Sequence, residues 1–397
     1  MSTEKMLMSD GNSAPNHHVL TLTPFYPTDS DDSAGCFVFE PLLGLQKIGI
    51  RHSVYAIQPF YRGQLKSGNV QVPAEWFRYF SLPSGMGLPT AGAFAFARIV
   101  GEVRSLHRQQ PIHLVHAHGA LPCGHAAMLL GGELGIPFVV SVHGLDAFST
   151  VQVGGYSATW CRRISAIVYT ASRRVICVSE RVREEVLSGV GKSVRTSVVY
   201  NGADPVLFSP VQDRIVNEQI VLAVGNLIPT KGHENLIRAV ASLGEDFPSV
   251  TLEIIGNGPE KSRLQVLSQE LGVKEKVRFL GSQSRRQVAD AMRRCTIFAL
   301  PSRYEGLGCV YLEAMSAEKP VIGCRGQGIA EIIQQGTNGF LVGPDNEKEL
   351  SIVMAMVLRD DFLKRNLGVA ARETILDGFT LAHQAERLAR IYRECVG

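Results

Sequence analysis

Short apolar runs without polar interruption recur along the chain and alternate with amphipathic stretches of helical period. Runs at residues 18–24, 53–58, 112–117, 138–142, 174–178 and 196–200 read as strands, and residues 36–48, 94–109, 124–134 and 160–172 as helices between them. A strand that is apolar at every position is covered on both faces, the pattern of a parallel sheet under helices. The alternation breaks at Asn201-Gly202-Ala203-Asp204-Pro205 and the polar residues 213–219. It restarts at 220–224, with further strands at 251–255, 277–280, 296–300 and 320–323. Repeated βαβ units on both sides of one break predict two Rossmann-like, doubly wound parallel-sheet α/β domains, residues 18–205 and 206–380. Residues 1–17 are polar and read as a tail. Residues 381–397 read as a closing amphipathic helix.

Open parallel sheets bind ligands beyond the carboxyl ends of their strands, so two facing sheets make the cleft between them the expected site. The most informative segment is Pro301-Ser302-Arg303-Tyr304-Glu305-Gly306-Leu307-Gly308-Cys309-Val310-Tyr311-Leu312-Glu313-Ala314-Met315, which follows the strand at 296–300. A strand, a glycine turn and a helix start present free N–H groups and the positive helix end, which suits phosphate. Glu305 is placed in the loop and Glu313 two turns into the helix; eight residues apart, near two helical periods, they are expected on roughly the same side. Carboxylates accept paired hydrogen bonds from sugar hydroxyls, so one is a candidate for a ribose and the other for a sugar. An ordinary strand–loop–helix corner with solvated acids is the other reading of this spacing alone.

Three more turns follow strands. Val224-Gly225-Asn226-Leu227-Ile228-Pro229-Thr230-Lys231-Gly232 brings a lysine to the start of a helix, where it suits a diphosphate as a point charge. Ile255-Gly256-Asn257-Gly258 is a second glycine turn. Ser141-Val142-His143-Gly144-Leu145-Asp146 sets an imidazole at a strand's carboxyl end, with Asp146 open as an acceptor-side residue or a helix cap. In the first half, the acidic segment from Thr28 to Gly35 opposes phosphate and is read mainly as acceptor access.

Apolar content of 45% and charged content of 19% describe a globular protein, and a net charge of +3 is too small to imply nucleic acid. The excess lies in residues 1–208, which hold 17 Lys and Arg against 14 Asp and Glu. There Arg162, Arg163, Arg173, Arg174, Arg181 and Arg183 read either as a solvated face or as a peripheral contact with an anionic membrane. The eight cysteines are scattered, the pattern of reduced thiols in a cytoplasmic protein, and no apolar run is long enough to span a bilayer. His113, His116, His118 and His125 are not expected to form a metal site.

The glutamate pair, followed by Ala317-Glu318-Lys319-Pro320-Val321-Ile322-Gly323, resembles the retaining glycosyltransferases of family 4. The likeness runs from about His18 to the carboxyl end. It implies the two-domain GT-B fold, with the last helix packed back on the first domain. It also implies a retaining transfer from a UDP- or GDP-linked sugar to a hydroxyl of unknown acceptor, without metal or cofactor. By this resemblance His143, Lys231 and Glu305 are catalytic, Glu305 holding the donor sugar. The donor-binding set is Gly35, Asn226, Gly256, Leu280, Arg303, Gly306, Leu307, Gly308, Val310 and Glu313, with Glu313 on the ribose. The family carries an arginine where this chain has Asn226, and Arg303 is the expected substitute. A nucleotide-sugar epimerase and a non-catalytic nucleotide-sugar binder are the alternatives.

Overall fold

The computed structural model describes residues 17–29, 31–63, 68, 70–83, 85–149, 153, 155–211 and 219–397. Nearly all of the expected tail, and residues 213–218 of the polar break, lie outside the described residues. Seven strands form the first sheet: β1 (His18–Thr23), β2 (Arg51–Pro59), β3 (Ala74–Tyr79), β4 (Leu114–His118), β5 (Phe138–Val142), β6 (Arg174–Cys177) and β7 (Thr196–Val198). Six form the second: β8 (Gln219–Val224), β9 (Val250–Ile255), β10 (Val277–Gly281), β11 (Ile297–Ala299), β12 (Val321–Cys324) and β13 (Phe340–Val342). The orders are β3-β2-β1-β4-β5-β6-β7 and β10-β9-β8-β11-β12-β13, and every pairing is parallel.

Each sheet reverses its winding beside its first strand, between β1 and β4 and between β8 and β11. A doubly wound sheet opens its ligand crevice at that point. Every residue of β1, β4, β5 and β9 is buried, which explains why these strands carry no polar alternation. Two strands were absent from the sequence reading. β3 lies at the sheet edge and alternates buried and exposed residues, and β13 has only three residues.

The chain crosses between the sheets twice, side by side. Ala203 N donates to Phe379 O at 2.9 Å, and Leu381 N donates to Ala203 O at 3.0 Å. From there the helix Leu381–Val396 runs along Cys36–Lys47 of the first domain. The approach is close: a Cβ on Gly44 would stand 2.7 Å from that of Ala385. The Tyr392 hydroxyl shares a 2.6 Å hydrogen bond with His116 Nδ1 inside this seam.

Candidate active site

A cavity of about 370 Å³ lies between the carboxyl ends of the two sheets. Its charged wall is built by two loops of the second domain. After β8 the chain forms a single turn, Pro229–Lys231. Its Thr230 carbonyl accepts from Arg303 N (2.8 Å) in the loop after β11. That backbone tie brings Lys231 Nζ into direct contact with Glu305 Oε2, and both side chains are largely buried. Gln327 fixes the Glu305 loop from behind: its Oε1 accepts from Glu305 N (2.8 Å) and its Nε2 donates to Arg303 O (2.9 Å).

The next residues meet the first domain. Ser179 Oγ donates to Gly306 O at 2.8 Å, and Asn201 Nδ2 donates to Leu307 O at 2.8 Å. The helix then starts at Cys309 with Gly308 as its cap, so no side chain satisfies its first N–H groups; Gly308, Cys309 and Val310 line the cavity. Glu305 therefore lies outside the helix, and the two-period argument for its shared side with Glu313 does not apply. Loop geometry brings both to the same cavity instead.

Glu313 is 1% exposed. Its Oε1 accepts from Arg285 Nη1 at 2.7 Å, while Oε2 is buried without a partner. Arg285 also donates through Nε (2.9 Å) and Nη2 (2.6 Å) to Glu40 Oε1 of the helix Cys36–Lys47. Sequence reading missed both Arg285 and Glu40. The available signal was Arg285 in the first turn of a helix, Arg285–Arg294, where the dipole disfavours a cation without carboxylate company.

Burial is the main cause that raises the Glu40 carboxyl to about 7. Arg285 pulls it down, and Glu313 and Asp204 push it up. A carboxyl raised by folding favours the folded state below the unfolded value and loses that contribution as pH rises through the folded value. Glu40→Gln should therefore gain stability relative to the wild type as pH goes from 5 to 7. Urea unfolding at each pH measures this. A constant difference between the two proteins across that range would show that Glu40 does not titrate there.

On the facing wall His143 Nε2 shares a 3.0 Å hydrogen bond with His118 Nδ1, and its ring packs 4.7 Å from Phe37. Burial lowers the pKa of both imidazoles, so they are neutral near pH 7. Asp146 is not a helix cap: its carboxylate accepts from an N–H behind it in the chain, and no helix starts there. Oδ1 accepts from His143 N at 2.9 Å, and Oδ2 is buried and unpartnered beside a first-domain cavity of about 510 Å³.

The remaining candidates divide. Asn226 and Gly256 line the main cavity, as does Leu307. Gly35 is conformational: at φ 67° it packs where a Cβ would stand 2.5 Å from the Phe25 backbone, while its neighbours Ser33 and Cys36 reach the cavity. Leu280 is one step removed. Its carbonyl accepts from Gln283 Nε2 at 2.7 Å, and Gln283 lines the cavity. Arg303 does not substitute for the arginine missing at Asn226. Its Nε pairs with Asp345 Oδ1 at 2.5 Å on an exposed surface away from the cavity lining. Of the six arginines read as a basic face of the first domain, four have partners within the chain. Arg162 lies over the Phe148 ring and Arg181 over that of Tyr304, and Arg174 and Arg183 pair with Glu394 and Glu180. Among the described residues no group of three or more His, Cys, Asp or Glu is arranged to hold a metal ion. No described helix is long and apolar enough to cross a membrane.

The two halves match two family models: Glycosyltransferase Family 4 over residues 37–207 and Glycosyl transferases group 1 over residues 208–374. An uncharacterized glycosyltransferase of Methanocaldococcus jannaschii is 30% identical over 277 residues, covering 65% of this chain and 69% of the relative. The chain belongs to glycosyltransferase family 4. This glycosyltransferase is also 27% identical over 408 residues to the D-inositol 3-phosphate glycosyltransferase of Corynebacterium glutamicum, covering 94% and 95% of the two chains. Among solved structures, the Anabaena protein Alr3699/HepE in complex with UDP-glucose superposes with a TM-score of 0.73. The identity is 22%, over 95% of this chain and 99% of that one. The fold is GT-B, two Rossmann-like domains facing a cleft.

Proposed function

We propose that this glycosyltransferase is a retaining enzyme that transfers a sugar from a UDP- or GDP-linked donor to an acceptor hydroxyl. The observation that carries the reading is one cavity holding two different carboxylates. Glu313 is buried with Oε2 free for a ribose hydroxyl, and Glu305 is paired to Lys231 beside an uncapped helix start. A nucleoside diphosphate sugar has a polyol at each end and a diphosphate between, and the wall offers a matching sequence of groups. The UDP-glucose complex of the fold neighbour supports the donor class.

In this reading the bond from the anomeric carbon to the diphosphate breaks through an oxocarbenium-like state. Lys231 and the N–H groups at Gly308, Cys309 and Val310 stabilise the departing charge where it develops. Glu305 holds the donor sugar, and neutral His143 donates to or accepts from a sugar hydroxyl. The acceptor enters from the first-domain cavity at Asp146 and attacks on the face the diphosphate leaves, which takes its proton. No step calls for a metal.

The test is titration with UDP and GDP, followed by transfer from the matching sugar donors with product configuration read by NMR, with and without excess chelator. An α-linked donor should give an α-linked product at an unchanged rate in chelator. A β-linked product would end the retaining assignment, and loss of activity restored by magnesium or manganese would end the metal-free one.

A further inference from the structure

We infer that Arg285 is a positioning residue for donor recognition: held from the first domain by Glu40, it sets the Glu313 carboxylate for the ribose hydroxyls. The inference rests on the reading of the cavity as a nucleotide-sugar site. The guanidinium stands where four parts of the molecule meet. Its Nη1 reaches Glu313 on the helix Cys309–Ser316, and its Nε and Nη2 reach Glu40 on Cys36–Lys47. Its Cζ lies 5.0 Å from the centre of the Phe208 ring, in the segment that joins the domains. Its backbone N–H donates to Asp32 Oδ1 at 3.1 Å, in the loop after β1.

Arg285 is not the missing cation for the diphosphate. Its Nε, Nη1 and Nη2 each donate to Glu40 or Glu313, and its backbone N–H to Asp32. Two carboxyl groups occupy the guanidinium, so the cluster offers its acceptor oxygens to hydroxyl donors rather than a free cation to phosphate. All three side chains are sheltered, at 13%, 14% and 2% exposure for Arg285, Glu40 and Glu313, so screening by water is weak.

The chemistry of a carboxylate explains the need. The terminal torsion of a glutamate is broad, so an unrestrained Glu313 would turn its oxygens through many directions. One charge-assisted bond from a planar guanidinium pins Oε1 and thereby aims Oε2. Because the guanidinium is itself held by Glu40, and the Arg285 backbone by Asp32, the aim of Oε2 depends on the first domain being seated on the second. Glu40 is outside the cavity lining, so it reaches the ligand only through Arg285. Lysine cannot replace Arg285, since a point charge lacks the fork that binds two carboxylates in fixed directions.

The experiment compares UDP and GDP with their 2′,3′-dideoxy counterparts by calorimetric titration on the wild type, Arg285→Gln, Arg285→Lys and Glu40→Ala. The wild type should prefer the ribose form by about 10- to 100-fold, as expected for hydrogen bonds to a charged group. Arg285→Gln and Arg285→Lys should lose most of that preference, with dideoxynucleotide affinity within about threefold of wild type, and Glu40→Ala should lose part of it. Should Arg285→Gln fail to fold, the lysine and Glu40 variants carry the comparison. Full ribose preference in the variants overturns the inference, as does an equal loss for both nucleotide forms, the signature of mere structural damage. A wild type that binds the two forms equally overturns it as well. A wild type that binds neither UDP nor GDP instead removes the nucleotide-sugar reading on which it rests.

Discussion

Lys231→Ala is expected to lower kcat for sugar transfer by about 100- to 1,000-fold, the usual effect of losing one electrostatic contact to a developing anion. Lys231 and Arg285 both line the cavity, but Arg285 is tied to Glu40 and Glu313, and Arg303 faces Asp345 away from the lining. Lys231 also neutralises Glu305, so its removal leaves a largely buried carboxylate without its partner. Breaking such a pair costs up to roughly 3–5 kcal/mol when burial is complete, and less here because both groups keep some exposure. The double variant Lys231→Ala/Glu305→Ala separates the two roles. It should regain thermal stability relative to Lys231→Ala but no transfer. Recovery of transfer in the double variant would mean that the lysine serves only to balance the glutamate.

Gly306→Ala should reduce kcat/KM by about 100-fold, the effect of displacing reacting groups by about 1 Å. The two domains meet here backbone to backbone. A Cβ on Gly306 would stand 2.1 Å from the His143 carbonyl oxygen and 3.2 Å from Gly144 Cα. On the other side, a Cβ on Gly328 would stand 1.6 Å from the Gly306 carbonyl oxygen. Neither neighbour is the end of a flexible side chain, so the added methyl must move the walls of the cleft. His143 and Glu305 flank this contact and would separate. The cost in stability should be modest, about 1–3 kcal/mol, as for other overpacked sites. Steady-state kinetics beside urea unfolding give both numbers. Wild-type transfer by Gly306→Ala would show that chemistry does not depend on this close approach.

Much of the site was legible because its residues follow strands. Asn226 and Lys231 follow β8, Gly256 follows β9, Glu305 through Val310 follow β11, and His143 follows β5. Hydrophobic period fixes each strand locally, and parallel winding sends every strand's carboxyl end to the same side, so a one-dimensional pattern already implies that these turns converge. The same reasoning placed Glu305 in the loop yet counted helical periods from it to Glu313; with the helix beginning at Cys309, Glu313 stands little more than one turn in, and the loop rather than the period brings the two together. It also passed over β3 and β13, an alternating edge strand and a strand too short to carry a pattern.

What the sequence determined by itself, then, is the sheet architecture and the identity of the turns, since both follow from local periodicity and from the chirality of the chain. The partners of the charges were decided only by tertiary structure. Arg285 and Glu40 are 245 residues apart and meet only because the first sheet docks on the second. Arg303 is two residues from Glu305, yet it turns outward to Asp345. A charged side chain carries no periodic signal that names its partner. Its Coulomb energy depends on distance and on the exclusion of water, and both are set when the two domains close on one another.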